Sequence, residues 1–252
     1  MNHLPGNLAY RLYQWVWQAL DWLYPPQCGG CGQAGARWCR NCAQQTLEPR
    51  APICPICGNS NANDQPCPRC KEAVPFYTSL RACTVFTGPI RQAIHKLKYG
   101  GDIGLGEALS RPMISIFGRL NWPIDIITSV PLGLARLEQR GYNQATLLAR
   151  PIALYFNIPF STRALTRIRE TRSQVGLSAA EREINMEGAF QANGKFIEGK
   201  VVLVVDDVAT SGSTLNACAK ALLDEGAAGV YGFSLARAVF NPGDHGDVAR
   251  SL

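Results

Sequence analysis

The chain has 252 residues, 46% of them hydrophobic, and a formal net charge of +6 at pH 7. That suits one large domain, or one domain with a small module, and leaves ample material for a core. Two zinc sites of four thiolates each would bring the charge to about +2, so net charge makes no case for nucleic-acid binding.

Residues 1–26 form an N-terminal segment with an amphipathic helix at 8–24. Leu8, Leu12, Val16, Ala19, Leu20 and Leu23 recur at helical spacing, and Trp15, Trp17 and Trp22 widen the apolar face. Arg11, Gln14, Gln18 and Asp21 interrupt it, so the stretch is too short and polar to span a bilayer. It has no basic leader and no small-residue cleavage site, which predicts a cytoplasmic protein. Membrane-surface helices carry several basic residues on the polar side, and this one has a single Arg. A helix docked on the main domain or on a partner is expected, stopped by Pro25 and Pro26.

Residues 27–73 are cysteine-rich. Eight of the ten cysteines fall in C-x-x-C pairs: Cys28/Cys31, Cys39/Cys42, Cys54/Cys57 and Cys67/Cys70. Each short knuckle aims two sulfurs at one ion, and in a chain without an export signal the pattern predicts zinc rather than disulfides. Two pairings are open. Sequential sites (28/31/39/42 and 54/57/67/70) make a double zinc ribbon, and interleaved sites make a cross-brace; short intervening loops favour the first. Cys83 and Cys218 stand alone and read as buried small side chains.

Residues 74–238 alternate strand and helix signals. Strands are expected near 80–87, 125–130, 199–206 and 230–236, and helices near 89–98, 107–120, 143–157 (with Pro151 inside) and 213–225. Alternation at this spacing means an α/β fold, a mostly parallel sheet with helices on both faces. A tail, 239–252, follows.

The most informative stretch is the run Val201, Val202, Leu203, Val204, Val205, then Asp206 and Asp207, then the loop Ala209, Thr210, Ser211, Gly212, Ser213 and Thr214. A continuous β-branched and Leu run reads as a parallel strand covered on both faces. Ligands of open α/β sheets sit at the carboxyl ends of such strands. Small residues let backbone N–H groups converge on an anion, and the next helix adds its positive end. No lysine follows the pattern of a Walker loop. Adjacent strand residues face opposite ways, so both acids can serve one ligand only where the strand is ending. After the strand near 125–130 comes a second loop, 131–144, whose Arg136 and Arg140 suit a second anion. Residues 166–177, with Arg167, Arg169, Arg172 and Gln174, read as a mobile loop, ended by the helix start at Ser178 and Glu181.

The segment 201–214 closely resembles the phosphoribosyl pyrophosphate (PRPP) signature of type I phosphoribosyltransferases. With Leu97, Lys98 and Tyr99, with Arg140 through Ala145, and with Arg169–Gln174, Arg182 and Asn185, the chain resembles the ComF family of competence-associated phosphoribosyltransferase-like proteins, which also carry a zinc module. The resemblance covers about 28–236. It implies a type I phosphoribosyltransferase fold and a link to DNA uptake. It also implies that Asp206 and Asp207 hold the ribose hydroxyls, Ala209 through Thr214 the 5′-phosphate, and Arg136 and Arg140 the pyrophosphate, with Arg140 and the two acids as the catalytic set. Arg169 and Arg172 would join the PRPP-binding set on a closing loop, and Mg²⁺ would bridge pyrophosphate and ribose. Thr210 stands where hypoxanthine-guanine enzymes carry an Asp, which argues against a 6-oxopurine acceptor. Three function classes follow: a phosphoribosyltransferase; a PRPP sensor or DNA-handling adaptor; and a zinc module that binds single-stranded DNA through Arg37, Arg40, Arg50, Arg69 and Trp38. The last is weakest, because six basic against four acidic residues up to Pro75 make no strong patch.

Overall fold

The structure is a computed structural model that describes residues 8–170, 181 and 185–238. Residues 1–7, Arg172, Gln174, Ser178, Arg182 and the tail 239–252 lie outside the described residues. Helix α1 (Leu8–Leu23) docks by Tyr10, Tyr13, Trp17 and Asp21. Tyr10 meets Tyr155 edge-on at 5.1 Å, and Arg37 stacks 5.3 Å over Trp17 while pairing with Asp21 at 2.5 Å. The aliphatic face that dominates the sequence pattern points away, with Leu8, Leu12, Trp15, Val16 and Leu23 exposed. Rings with polar edges, plus an acid that finds an Arg, fit the half-wet rim of a domain better than a purely aliphatic stripe.

Two cysteine knuckle modules follow, with the short helices α2 (Arg40–Gln44) and α3 (Pro68–Glu72). The chain then builds β1 (Ser79–Val85), α4 (Gly88–Tyr99), α5 (Gly104–Leu120), β2 (Ile126–Ser129), α6 (Leu134–Arg140) and α7 (Gln144–Phe156). Next come β3 (Leu165–Arg167), β4 (Phe190–Ala192), α8 (Gly194–Ile197), β5 (Val201–Ala209), α9 (Ser213–Asp224) and β6 (Gly229–Arg237). The main sheet is parallel throughout, in the order β1-β6-β5-β2, and β3 pairs antiparallel with β4.

Alternation along β5 sends Leu203 and Val205 into a core with Leu109, Leu148 and Phe233. It sends Val202 and Val204 into a second core with Leu165, Leu215 and Leu222. The sheet is therefore covered on both faces, as its unbroken apolar run predicts. Each fully buried Val or Leu contributes about 1.5–3 kcal/mol.

Three elements differ from the sequence expectations. The segment read as the loop 131–144 contains helix α6, built of helix formers and closed by Gly141 at φ 78°. The start of the expected loop 166–177 is strand instead, β3 reaching Arg167, because a later segment, 190–192, pairs with it. Strand β5 does not end at Asp206 but runs on to Ala209, because β6 continues beside it through Arg237.

Candidate functional site

Both acids thus lie inside a strand, and period-two geometry turns them to opposite faces. They share a cavity because the neighbour stops first. β2 pairs with β5 only as far as Ser129 opposite Val205, after which Val130 N–H closes the ladder on the Val205 carbonyl at 2.9 Å. Beyond that point the β2 side of β5 is open, and a cavity of about 290 Å³ fills the gap. Asp206, Asp207, Arg136, Arg140, Thr210 and Thr214 line it, joined by Lys98, Gln144 and Arg167.

Asp207 is held tightly. Lys98 Nζ lies 2.8 Å from its Oδ2, Gln144 Nε2 donates to its Oδ1 at 3.0 Å, and Arg140 donates to Gln144 Oε1. Arg140 also stacks 5.1 Å over Tyr99, and Tyr142 Oη donates to the Leu97 carbonyl at 2.7 Å. Asn143 caps α7 through Ala145 N–H and donates to the Val130 carbonyl at 2.9 Å. The end of α4 and the start of α7 are therefore clamped together around Asp207. Lys98 and Gln144 had no assigned role in the sequence reading. Their signal was present in the motifs around Tyr99 and Tyr142, but a contact 63 residues apart in the chain leaves no periodic trace.

The two acids titrate apart. Burial, and then the Asp207 charge, hold the Asp206 carboxyl well above the usual carboxylate range. Burial also acts on Asp207, but Lys98 and Gln144 outweigh it and hold that carboxyl low. The two carboxyls are thus pushed in opposite directions, Asp206 up and Asp207 down. Across the cavity, burial and the nearby Arg136 weaken the hold of the Arg167 guanidinium on its proton. Cations converging at a cost in mutual repulsion are the arrangement an anion would relieve.

The loop after β5 leads straight into a helix start. Gly212 takes φ 84° and supplies no side-chain cap; Ser213 N–H donates to Ser211 Oγ at 3.3 Å, and the positive end of α9 faces the loop. Ser211, Gly212 and Ser213 line a second, smaller cavity of about 100 Å³ with Arg69 and Tyr77 rather than the one at the acids. Ala209 lies on β5, paired with Arg237. Arg169 is drawn away, donating to the carbonyls of Asn185 (3.0 Å) and Glu187 (2.5 Å). The exposed Glu170 carboxylate hangs over Gly133 at the start of α6.

The eight paired cysteines form two clusters in the sequential pairing, Cys28/Cys31/Cys39/Cys42 and Cys54/Cys57/Cys67/Cys70, with sulfurs within 4.8 Å of one another. A tetrahedron with metal–sulfur bonds of about 2.3 Å has edges of about 3.8 Å. The Cys31–Cys39 and Cys57–Cys67 sulfurs lie 3.8 and 3.7 Å apart, so the donor sets fit zinc. Backbone N–H groups reach Cys28 Sγ (3.4 Å, from Cys39) and Cys54 Sγ (3.3 Å, from Cys67). The second module is joined to the sheet and to the loop. Leu80 N–H donates to the Ile56 carbonyl at 2.7 Å, and Arg69 Nη1 donates to the Ser211 carbonyl at 2.8 Å. Arg237, at the end of β6, is buried beside Cys57 and Tyr77 and donates to Asn59 Oδ1. Its two terminal nitrogens have no hydrogen-bond partner, so its charge faces the thiolates as a counter-ion. Of the arginines considered for DNA, Arg37 is engaged by Asp21 and Asp102, and Arg69 by Ser211.

The family models agree with this anatomy: a double zinc ribbon domain matches residues 19–71, and a phosphoribosyl transferase domain matches residues 142–240. Fold and site define a type I phosphoribosyltransferase fold joined to an N-terminal double zinc ribbon with two four-cysteine zinc sites. The DNA utilization protein YhgH of Escherichia coli (strain K12) is 35% identical over 178 residues, 68% of this chain and 78% of that protein. Competence protein F of Haemophilus influenzae is 31% identical over 183 residues, 69% of this chain and 79% of that protein. Competence protein ComFC of Bacillus subtilis is 27% identical over 160 residues, 62% of this chain and 63% of that protein. The chain belongs to the ComF family. No helix among the described residues is long and apolar enough to cross a membrane.

Proposed function

We propose that the chain is a cytoplasmic protein that binds PRPP with Mg²⁺ in the cavity at the end of β5 and transfers its phosphoribosyl group. The observation that carries this reading is the gathering of Lys98, Arg136, Arg140 and Arg167 around two buried carboxylates in one 290 Å³ cavity. Asp206 and Asp207 hold the ribose hydroxyls. The N-terminus of α9 and the loop from Ala209 to Thr214, of which Thr210 and Thr214 line this cavity, take the 5′-phosphate, and Arg136 and Arg140 take the pyrophosphate. Arg169 and Arg172 join the pyrophosphate side when their segment closes. Buried carboxylates are hard oxygen donors that suit Mg²⁺, which when bound shields the departing charge. The arginines stabilise the pyrophosphate as its bond to the sugar lengthens, and closure excludes water.

A second reading, a PRPP sensor or DNA-handling adaptor that transfers nothing, draws support from the Lys98–Asp207 ion pair, which a ribose must share or break. Relatives named for DNA utilization and competence support a role in DNA uptake or use, with single-stranded DNA or a DNA-processing protein as partner. Isothermal titration tests both readings. PRPP with Mg²⁺ should bind saturably, and the Asp206→Ala/Asp207→Ala double variant should lose at least tenfold in affinity. Unchanged affinity in that variant would remove the proposal. Pyrophosphate release in a screen over nucleobases and amines separates transferase from sensor.

A further inference from the structure

Helix α1 presents two unlike faces, and among the described residues only one is packed. Its docked side is Tyr10, Tyr13, Trp17 and Asp21. Leu12 and Ala19 lie nearly opposite on the helical wheel at about 100° per residue. Around them Leu8, Trp15, Val16, Trp22 and Leu23 are exposed, Trp15 at 62% and Trp22 at 82%. We propose that this face pairs antiparallel with the same face of a second copy of the chain, making a homodimer across α1.

Four observations choose that occupant. Leu12, Val16, Ala19 and Leu23 follow the four-three-four spacing of a helix–helix seam, and Ala19 allows close approach. The seam carries no charge, and Arg11 and Gln18 stand at its edge, whereas a membrane-surface helix would flank its apolar side with several Lys or Arg. Arg11 sits in the first turn, where its own helix dipole disfavours a cation, and the last turn has no basic residue. Antiparallel pairing brings Arg11 alongside the partner's negative helix end. At about 150–250 Å² for a large aromatic side chain, two tryptophans and five aliphatic residues present on the order of 1,000 Å², enough for the roughly 800 Å² per partner of a standard interface. The same surface on both copies closes under a two-fold axis.

Sedimentation equilibrium of the full chain, from low to high micromolar, decides the matter. The expected mass is that of two 27.5 kDa chains. Leu12→Glu and Val16→Glu, both on the solvent side, should weaken dimerisation at least tenfold while circular dichroism and zinc content stay unchanged. A monomer at every concentration overturns the proposal, as does a dimer that survives both substitutions. Monomeric protein that sediments with phosphatidylglycerol–phosphatidylcholine vesicles overturns it too, and assigns the face to a lipid surface. The reading of the PRPP cavity is untouched by any of these outcomes.

Discussion

At the scale of single residues, the site turns on Lys98. Its ammonium lies 2.8 Å from Asp207 with both side chains largely buried, so removing one partner strands the other in a poor solvent. Lys98→Met should destabilise the fold by about 3–5 kcal/mol at neutral pH, the usual cost of breaking a buried pair. The sign of the pH dependence follows from the depressed Asp207 carboxyl. Its contribution is present above the unfolded carboxylate value of about 3.9 and is lost as pH falls through the lower folded value. The gap between wild type and Lys98→Met in urea melts should therefore narrow below about pH 4; a gap constant from pH 3 to 8 would contradict the pairing. Asp206 contributes with the opposite sign: its raised carboxyl costs stability as pH rises from the unfolded value toward the folded one. None of this could be read from the acid pair alone. Two adjacent aspartates are visible in the sequence, but which of them is held low depends on Lys98 and Gln144.

At the scale of elements, the second zinc module and the loop before α9 act as one unit through Arg69. Its bond to the Ser211 carbonyl is partly solvent-exposed, so its net worth is modest, roughly 1 kcal/mol. The effect on the loop is more local. Arg69→Met should speed amide exchange at 211–214 several-fold and weaken inorganic phosphate binding, with the exchange of β5 unchanged. Exchange that rises equally in both segments would mean general destabilisation instead. The strand run, the knuckles and most helices were legible because they obey local periodicity and short-range metal geometry. Helix α6 was missed because its two arginines suggested a ligand loop, although Leu134 to Arg140 are ordinary helix formers. β3 was missed because a three-residue strand has no pattern of its own and exists only against β4.

For the whole molecule, the two zinc sites brace different parts. The first module ties α1 to the turn before α5 through Arg37, which bridges Asp21 and Asp102, and to α4 through Lys96, which donates to the Cys28 carbonyl at 3.2 Å. The second lies along β1 and the loop before α9. Metal analysis should find two zinc ions per chain, and about one in either Cys39→Ser or Cys67→Ser. Both variants should melt at lower temperature, but only Cys67→Ser should reduce phosphate affinity strongly; equal losses would show that the modules are not divided this way. The amino-acid sequence by itself determined the four cysteine pairs, the buried strand with its acids and glycine loop, and the alternation that makes a parallel sheet, since all follow from neighbours within a few residues. Only the tertiary structure decided how the cysteines pair, which face of α1 docks, and why both acids open on one cavity. The last depends on β2 ending at Ser129 while β6 runs on beside β5, a difference in strand length that packing sets and no local pattern records.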